Sequence, residues 1–454
     1  MHELMDAKYS VNSANPFLLT IKSTPWAAVH YTTQSESVQY GTSSKFDIAP
    51  VGDLVCFQAL LLIFIGLGVS VDGTNNATPY PVISSLECPL AARDAASIDA
   101  AYGTDGYSTF LTEEYGAAPS EEAIPDPADV CETATGPQVL YIANVGLHAA
   151  HQTNLIIGGH TIDSRTDYTI AMIQELNGDV NRDHYGMWGN ASTLLESLVQ
   201  SMTTRYCYVQ ADFSFHSDIG LSFALCAALF SKMQVEYSFR SRKEMVLVTQ
   251  LNARPLNGST QAPLSDTDLC AGMDVHYIVL EQSMRDAFTE ASFEQVLVRV
   301  HEQSKSAKST SIHLELQGSG YILGLMMMAT REAAIHLNLY DNFEGVNGRA
   351  AIKTINVHFD GSTIYEGESE RLHLLYPGFY TPRKPCLFVY VLAFTPSVFA
   401  LQVICGVNIN LIDDAKVVVT LQPVLSTENV TLFVVMLEMT FLSYEAGHVR
   451  AFLS

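Results

Sequence analysis

The chain is dominated by short segments in which apolar and polar residues alternate. The clearest are Met233–Phe239 and Ala415–Leu421, in which every second residue is apolar. Strict alternation places one row of side chains on a core and the other in solvent, as in a half-buried β-strand. Further strand patterns occur at residues 273–280, 311–316 and 432–442. The pattern predicts an all-β protein.

One apolar run is long enough to resemble a membrane span. Residues 54–71 reach the lower end of the roughly 17–25 residues that a spanning helix needs. Gln58, two glycines and Ser70 interrupt the run, however, and Asp53 and Asp72 flank it without a basic residue. We therefore predict a buried strand, or two short strands, at this place.

The other segments predict few helices. Residues 166–176 predict a short helix, and residues 281–293 a polar connector. We expect a loop at residues 185–189 and further strands at residues 213–216 and 335–340.

A ten-residue pattern occurs twice. Residues 154–163 read NLIIGGHTID, and residues 356–365 read NVHFDGSTIY. In both, a strand-like segment is followed by a turn dipeptide, Gly158-Gly159 or Asp360-Gly361, then any residue, Thr and Ile. Such dipeptides suit the positive φ angles of a tight hairpin turn. We predict that these four residues shape equivalent hairpin turns with a structural role.

The surroundings of this pattern repeat as well. The segment 387–394 corresponds to the region of Phe213, and the alternating strand Ala415–Leu421 corresponds to Met233–Phe239. Many short strands with turn signals indicate β-sandwiches or jelly rolls. Two copies in the same order, about 200 residues apart, indicate a tandem duplication.

Residues 72–137 interrupt the strand pattern with a long acidic segment. The segment is rich in proline, glycine and alanine, and Arg93 is its only basic residue. Loops of this length are functional surfaces or disordered. Glu121-Glu122 suggests a metal site, but a solvated acidic loop is the favoured interpretation.

Composition and charge limit the range of partners. The chain has 454 residues, of which 48% are hydrophobic, enough for two or three packed domains. It carries 24 basic and 48 acidic residues, a formal net charge of -24. Such a chain repels phosphate backbones at long range, so we expect no direct nucleic-acid binding.

The cysteines indicate a reducing compartment. None of the eight forms a C-x-x-C pair, and several lie in apolar runs, such as Cys226 and Cys405. Scattered cysteines in a large chain are typical of reduced core residues. The polar, acidic first residues show no signal peptide.

Catalytic motifs are not evident. The sequence contains no G-x-x-x-x-G-K-[ST] phosphate loop and no G-x-S-x-G nucleophile turn. His148, His151, His160 and Asp163 lie close enough in sequence to consider a metal site, but no H-E-x-x-H helix supports one. We expect turn and loop histidines, and neither a catalytic residue, a cofactor nor a metal.

Four N-x-[ST] sequons occur, at Asn76, Asn190, Asn257 and Asn429. Asn76 and Asn257 lie in predicted loops and are the better candidates for glycosylation, which requires access to a glycosylating machinery. Chance occurrence is the favoured interpretation of all four.

Several motifs together resemble the major capsid proteins of the nucleocytoplasmic large DNA viruses. The resemblance covers residues 15–454, departs from the family where Leu411 replaces an arginine, and has no counterpart for residues 72–137. The first motif is Asn15-Pro16 with the strand 17–21, and the second is residues 155–163, similar to L-x-I-G-G-x-x-I-D. The third is residues 274–280 with Arg285 and Phe288, similar to V-D-Y-I-F-L-D…E-R-x-x-F. The fourth is residues 388–394 with 407–413, similar to Y-x-Y-S-F-A-L…G-x-x-N-F-S-R-I-D.

The resemblance implies two tandem eight-stranded jelly rolls with short helices and long loops. It implies an N-terminal arm at residues 1–14, a first jelly roll at 15–286 and a second at 287–454. The family's chains form homotrimers with a pseudo-hexagonal outline, which tile an icosahedral shell over an internal membrane. The implied partners are therefore the chain itself, neighbouring capsomers, minor capsid proteins and that membrane. The implied location is the virion capsid, after assembly in the host cytoplasm, with no enzymatic activity.

Two alternatives stay open. A minor capsid or membrane-scaffold protein would have the same fold and differ in its abundance in particles. A carbohydrate-active β-sandwich would instead need exposed aromatic residues beside paired carboxylates, about 5–9.5 Å apart.

Overall fold

The computed structural model describes residues 27–64, 138–177, 184–190, 205–216, 221–249, 269–336, 338–345, 348–399 and 406–451. The predictions for the arm at residues 1–14, the strand at 17–21, the acidic segment 72–137, Asn76 and Asn257 lie outside these residues.

The first half of the described chain forms two four-stranded antiparallel sheets, ordered β1-β11-β3-β7 and β2-β9-β5-β6. The two-residue strand β8 extends the first sheet beside β3, and β4 and β10 form a separate ribbon. The strands are β1 (Ala27–Val38), β2 (Ser43–Asp47), β3 (Leu54–Phe64), β4 (Gln138–Tyr141), β5 (Ala150–Ile157), β6 (His160–Thr166), β7 (Arg205–Val209), β8 (Phe223–Ala224), β9 (Met233–Phe239), β10 (Val246–Thr249) and β11 (Leu269–Val279).

The second half repeats the two four-stranded sheets strand for strand. Its sheets are ordered β12-β20-β14-β17 and β13-β19-β15-β16, and the two-residue strand β18 lies beside β14 as β8 lies beside β3. A final strand, β21, pairs with β20. The strands are β12 (Phe293–Ala307), β13 (Ser311–Glu315), β14 (Tyr321–Arg331), β15 (Ile352–Phe359), β16 (Ser362–Glu368), β17 (Tyr390–Ala393), β18 (Val407–Asn408), β19 (Ala415–Leu421), β20 (Val430–Glu445) and β21 (His448–Ala451).

This topology confirms the predicted double jelly roll. In each half, the first three strands of the two sheets alternate between them, a hairpin then adds two neighbouring strands to one sheet, and the chain crosses between the sheets again after it. The two strands that alternate most strictly, β9 and β19, share one burial pattern, with every second residue buried. The order of strands also identifies β7, rather than the region of Phe213, as the counterpart of β17.

Short helices connect the strands. The predicted helix at residues 166–176 is confirmed as α2, and the polar connector at residues 281–293 contains α4. The described helices are α1 (Val145–Ala149), α2 (Asp167–Asn177), α3 (His184–Trp188), α4 (Gln282–Glu290), α5 (Glu332–His336) and α6 (Pro377–Tyr380), with a π-helical turn at Arg371–Leu375 before α6.

Three local predictions were wrong. The predicted loop at residues 185–189 is α3, whose Trp188 is buried. The predicted strand at residues 213–216 is a 3-10 turn, because Asp212 has a positive φ of 53° and redirects the chain. The predicted strand at residues 335–340 begins inside α5, and Asn338, with a φ of 60°, lies beyond the end of that helix.

The long apolar run is a strand in the residues that the structure describes. β3 lies between β11 and β7 in the centre of its sheet. Gln58 is fully buried there, and its Oε1 accepts a hydrogen bond of 2.7 Å from the hydroxyl of Tyr237, so its carbonyl oxygen has a partner in the core. Within the described ranges, no helix is long and apolar enough to cross a membrane.

Two strands of the second half are buried on both faces. On β20, Leu432 and Val434 belong to the core between the two sheets of the second jelly roll. Phe433 and Val435 point the other way and pack into a larger core shared with the first jelly roll. β14 is divided in the same manner. The second jelly roll therefore has an interior of its own and an outer sheet face that is also covered.

Candidate functional site at the junction of the two jelly rolls

The most elaborate polar arrangement in the described chain lies between the two jelly rolls. Helix α2 follows directly after the first hairpin, and its residues from Asp167 to Leu176 are all buried. Tyr168 on this helix packs against Phe433 of β20, with 4.7 Å between ring centroids. The helix thus covers the outer sheet face of the second jelly roll.

His148 bridges the two halves with both ring nitrogens. Its Nδ1 lies 2.7 Å from Oδ2 of Asp167, and its Nε2 lies 2.8 Å from Oδ1 of Asp341 in the second half. Asn144 donates a further hydrogen bond of 2.9 Å to Oδ2 of Asp341. Because an ionised carboxylate can only accept, both nitrogens of His148 must carry a proton when they face the two carboxylates. The geometry therefore requires an imidazolium ion.

Arg240 completes this cluster. Its Nη2 lies 2.7 Å from Oδ2 of Asp167, and its Nε donates to the backbone oxygen of His148 over 3.0 Å. Its guanidinium also lies over the ring of Tyr340, 4.1 Å from the centroid, a cation–π contact across the junction. Two cations and two carboxylates, the latter from Asp167 and Asp341, thus balance each other.

The electrostatics agree with the geometry. Burial alone would lower the pKa of His148, but the facing carboxylates of Asp341 and Asp167 raise it to about 9. Burial would raise the pKa of Asp167, but Arg240 and His148 hold it below its ordinary value. His148, Arg240 and Asp167 are therefore charged at neutral pH, and each cation lies against a carboxyl group of the cluster.

Asp163, the last residue of the first hairpin pattern, also belongs to the junction. Its Oδ1 accepts a hydrogen bond of 2.9 Å from the backbone nitrogen of Val300 in β12. Its Oδ2 accepts from Nε of Arg165 over 2.9 Å, and that guanidinium also donates to the backbone oxygens of Ala211 and Asp212. Both charged side chains are buried. The carboxylate therefore joins an edge strand of the first jelly roll to one of the second.

Two glutamates make comparable contacts. Glu302 of β12 accepts hydrogen bonds from the hydroxyls of Thr166 and Thr169 at the start of α2. Glu175 near the end of α2 accepts from the backbone nitrogens of Cys386 and Leu387, over 2.6 and 3.2 Å. Each carboxylate thus bonds to groups of the opposite jelly roll.

The arrangement is suited to holding two domains in a fixed orientation. The described residues contain no group of three or more His, Cys, Asp and Glu that could hold a metal. His148 and Asp163 are instead engaged in separate ion pairs, and His160 is exposed in the hairpin. Burial raises the pKa of the Cys207 and Cys226 thiols to about 12, which disfavours the nucleophilic thiolate.

The predicted turn residues have the same backbone geometry in both copies. Gly158 and Gly159 have φ angles of 58° and 85°, and Asp360 and Gly361 have φ angles of 49° and 77°. The pairing register also shifts at the same place, so that one residue bulges out of each second strand, Ile162 in β6 and its counterpart in β16. The two hairpins are therefore structurally equivalent.

One difference distinguishes the turns. The carboxylate of Asp360 accepts hydrogen bonds from the backbone nitrogens of Asp413 and Asp414, over 2.9 and 3.0 Å. Gly158 at the equivalent position has no side chain for this role. The amide nitrogen makes the same backbone contact in both copies, to Lys232 in the first and to Asp414 in the second.

Sequence reasoning identified the hairpins but missed most of the junction. Asp341 and Arg240 lie far from His148 in the sequence, and Glu302 lies within a strand. One signal in the sequence does point to a junction residue, namely a charged residue directly after an alternating strand, as Arg240 follows β9. Its partners follow only from the three-dimensional arrangement.

Of the sequons, only the one at Asn429 lies fully within the described residues. Asn429 is partly buried directly before β20, and its backbone oxygen accepts from the nitrogen of Glu332. Asn190 is described, but its two following residues are not.

Two tandem jelly rolls joined by a buried junction define the class of double jelly-roll proteins. No family model matches this chain, and no curated protein matches it. Solved structures do match over nearly its full length, at low sequence identity.

These structures come from viruses. The chain superposes on PBCV-1 VP54 with a TM-score of 0.63 and 13% identity, covering 95% of this chain and 98% of that one. It superposes on the Faustovirus major capsid protein with a TM-score of 0.62 and 10% identity, covering 93% and 92%. A chain of the Sputnik virophage structure gives 0.52 and 10%, covering 95% and 89%. At such identities the likeness establishes the shared fold.

Proposed function

We propose that this chain is the major capsid protein of a large DNA virus with an icosahedral shell. It forms homotrimers with a pseudo-hexagonal outline, and its role is structural rather than catalytic. The observation that carries the proposal is the pair of equivalent jelly rolls held by a buried, charge-balanced junction within one chain. The full-length likeness to the Faustovirus major capsid protein supports it.

A fused pair of similar barrels gives a trimer six similar bodies, and such a trimer packs in a hexagonal array. This outline requires a constant angle between the two barrels, and buried ion pairs with satisfied hydrogen bonds favour one arrangement over others. Closed assemblies in turn depend on a contact with fixed geometry.

We assign residues 15–286 to the first jelly roll and 287–454 to the second, a boundary that falls within α4. The partners are neighbouring capsomers, minor capsid proteins and an internal viral membrane. The protein acts in the virion after assembly in the host cytoplasm.

The mass of the protein in solution tests the proposal. Sedimentation equilibrium should give three times the chain mass of 49.7 kDa, and electron microscopy should show pseudo-hexagonal particles. A protein that stays monomeric at all concentrations, with and without its viral partners, would overturn the proposal. A low copy number in purified particles would instead indicate a minor capsid or membrane-scaffold protein of the same fold.

A further inference from the structure

The two jelly rolls differ in which parts of their surface are covered. Because the chain is a duplication, the first hairpin and the helical segment that follows it have counterparts in the other half. The hairpin alignment continues into the following helical segment and pairs Met172 with Leu374 and Ile173 with Leu375. Met172 and Ile173 are buried, whereas Leu374 and Leu375 are 48% and 54% exposed. The second copy of this surface therefore lacks the cover that the first copy has.

This uncovered surface is apolar. Phe379 in α6 is 70% exposed, and Ile364, the bulged residue of β16, is 46% exposed, while its counterpart Ile162 is buried. We call the four residues Ile364, Leu374, Leu375 and Phe379 the helical patch. They lie on neighbouring elements, namely β16, the π-helical turn and α6, and exposed apolar surfaces mark interaction sites.

A second uncovered surface lies on the outer sheet face of the first jelly roll. On β3, Leu60 and Leu62 point into the core, so Leu61 and Ile63 point outward and are only partly buried. Tyr208 and Tyr206 of β7 pair directly with Leu61 and Ile63, so their side chains lie on the same face. Tyr206 is 61% and Tyr208 is 38% exposed. We call Leu61, Ile63, Tyr206 and Tyr208 the sheet patch.

The sheet patch also has a covered counterpart. The strand of the second jelly roll equivalent to β3 is β14, whose outward residues Met326 and Met328 are fully buried. Beside them on β20, Phe433 is covered by Tyr168 of α2. Within the chain, then, the helical segment of one jelly roll covers the outer sheet of the other. The helical segment of the second jelly roll and the outer sheet face of the first are the two surfaces that this internal contact leaves exposed.

We infer that the helical patch of one copy binds the sheet patch of a second copy, in a contact that repeats the internal junction. This inference rests on the proposed function and specifies how its trimer closes. The contact is heterologous, because two different surfaces meet, and heterologous contacts form rings when the rotation between copies closes. The apolar character of both patches supplies the driving force.

Paired variants test the contact. One variant carries Leu375→Asp and Phe379→Asp in the helical patch, and the other carries Tyr206→Asp and Tyr208→Asp in the sheet patch. We expect each to sediment as a folded monomer. Leu411→Asp is the matched control, because Leu411 is 78% exposed and belongs to neither patch. This control should remain trimeric.

Mixing the two variants gives the sharper result. Each has one intact patch, so an equimolar mixture should form dimers of one copy of each and no larger species. Monomers in the mixture would overturn the head-to-tail contact, and trimers of either variant alone would overturn the role of its patch. A monomeric wild-type protein would count against the proposed function itself.

Hydrogen exchange gives a test that needs no variant. In the wild-type trimer, the amides of residues 371–380 should exchange as slowly as those of α2, because both segments are then covered. Rapid exchange at residues 371–380 in the trimer would place the subunit contact elsewhere.

Discussion

The two hairpins differ at the residue that follows the bulge. In the first copy this residue is Asp163, which bonds to Arg165 and to the backbone of Val300 in the other jelly roll. In the second copy it is Tyr365, which is buried in the core of its own jelly roll. One position thus became a junction residue in one copy and a packing residue in the other.

Removal of Asp163 should destabilise the protein strongly. Asp163→Ala leaves the buried guanidinium of Arg165 without its carboxylate, and breaking a buried ion pair costs about 3–5 kcal/mol. The control is Asp47→Ala, because Asp47 pairs with Lys232 and both side chains are more than half exposed. That change should cost less than about 1 kcal/mol. Calorimetric melting curves measure both variants, and equal losses would contradict a structural role for Asp163.

The charge on His148 should make the stability of the junction depend on pH. Its pKa is about 9 in the folded protein and about 6.5 in an unfolded chain. A raised pKa contributes stability that is complete below about pH 6.5 and is lost as the pH rises through about 9. The full effect is on the order of 3 kcal/mol, from 1.36 kcal/mol per pKa unit.

The measurement is the melting temperature between pH 6 and 10. The wild-type protein should lose stability towards pH 10 by more than a His148→Gln variant, since glutamine does not titrate. The difference between the two proteins should therefore shrink as the pH rises. A difference that is constant over this range would show that His148 is not charged in the junction.

At the scale of elements, both hairpin turns require a positive φ at the glycine in their second position. Gly159 and Gly361 have positive φ angles, and a Cβ atom added to either would meet nothing within 4 Å. Gly159→Ala and Gly361→Ala should each cost about 1–2 kcal/mol, the strain of an L-residue in the left-handed region. Gly378→Ala is the control, since Gly378 is equally unobstructed and lies in α6 without a positive φ. It should be neutral or slightly stabilising. Unequal effects at Gly159 and Gly361 would contradict the equivalence of the turns.

The sequence predicted those elements whose signal is local. Alternation identified β9 and β19, and the glycine-containing dipeptides identified the turns, because side-chain periodicity and positive φ are properties of neighbouring residues. Local alternation also predicted a strand wrongly at residues 213–216. There the rings of Phe213 and Phe215 stack on each other, with 5.6 Å between their centroids, and do not lie along a strand.

The junction could not be predicted in this way. His148 needs Asp341 and Arg240, and each contact joins residues that only the fold brings together. From the sequence alone, His148 groups with the neighbouring His151, His160 and Asp163 as a candidate metal site. Those groups lie close along the chain, but Asp163 pairs with Arg165 and His160 is exposed.

At the scale of the whole molecule, the duplication gives one chain two similar bodies with unequal surroundings. The first jelly roll presents its helical segment inward and its outer sheet outward, and the second does the reverse. A chain with one exposed helical patch and one exposed sheet patch can join further copies only head to tail. This polarity distinguishes the proposed ring from a symmetric pair of identical faces.

Net charge should oppose this assembly, so that salt promotes it. Each copy carries a formal charge of -24, whereas the helical and sheet patches are apolar and attract by a mechanism that screening does not weaken. The Debye length falls from about 10 Å at 0.1 M to about 3 Å at 1 M ionic strength, which removes repulsion between copies. We therefore expect sedimentation velocity to show a larger trimer fraction at about 0.5 M than at about 0.05 M NaCl, at equal protein concentration. The helical-patch variant should stay monomeric at both, because screening restores no contact. Dissociation of the wild-type trimer by salt would instead mean that ion pairs between copies, rather than the two patches, hold it together.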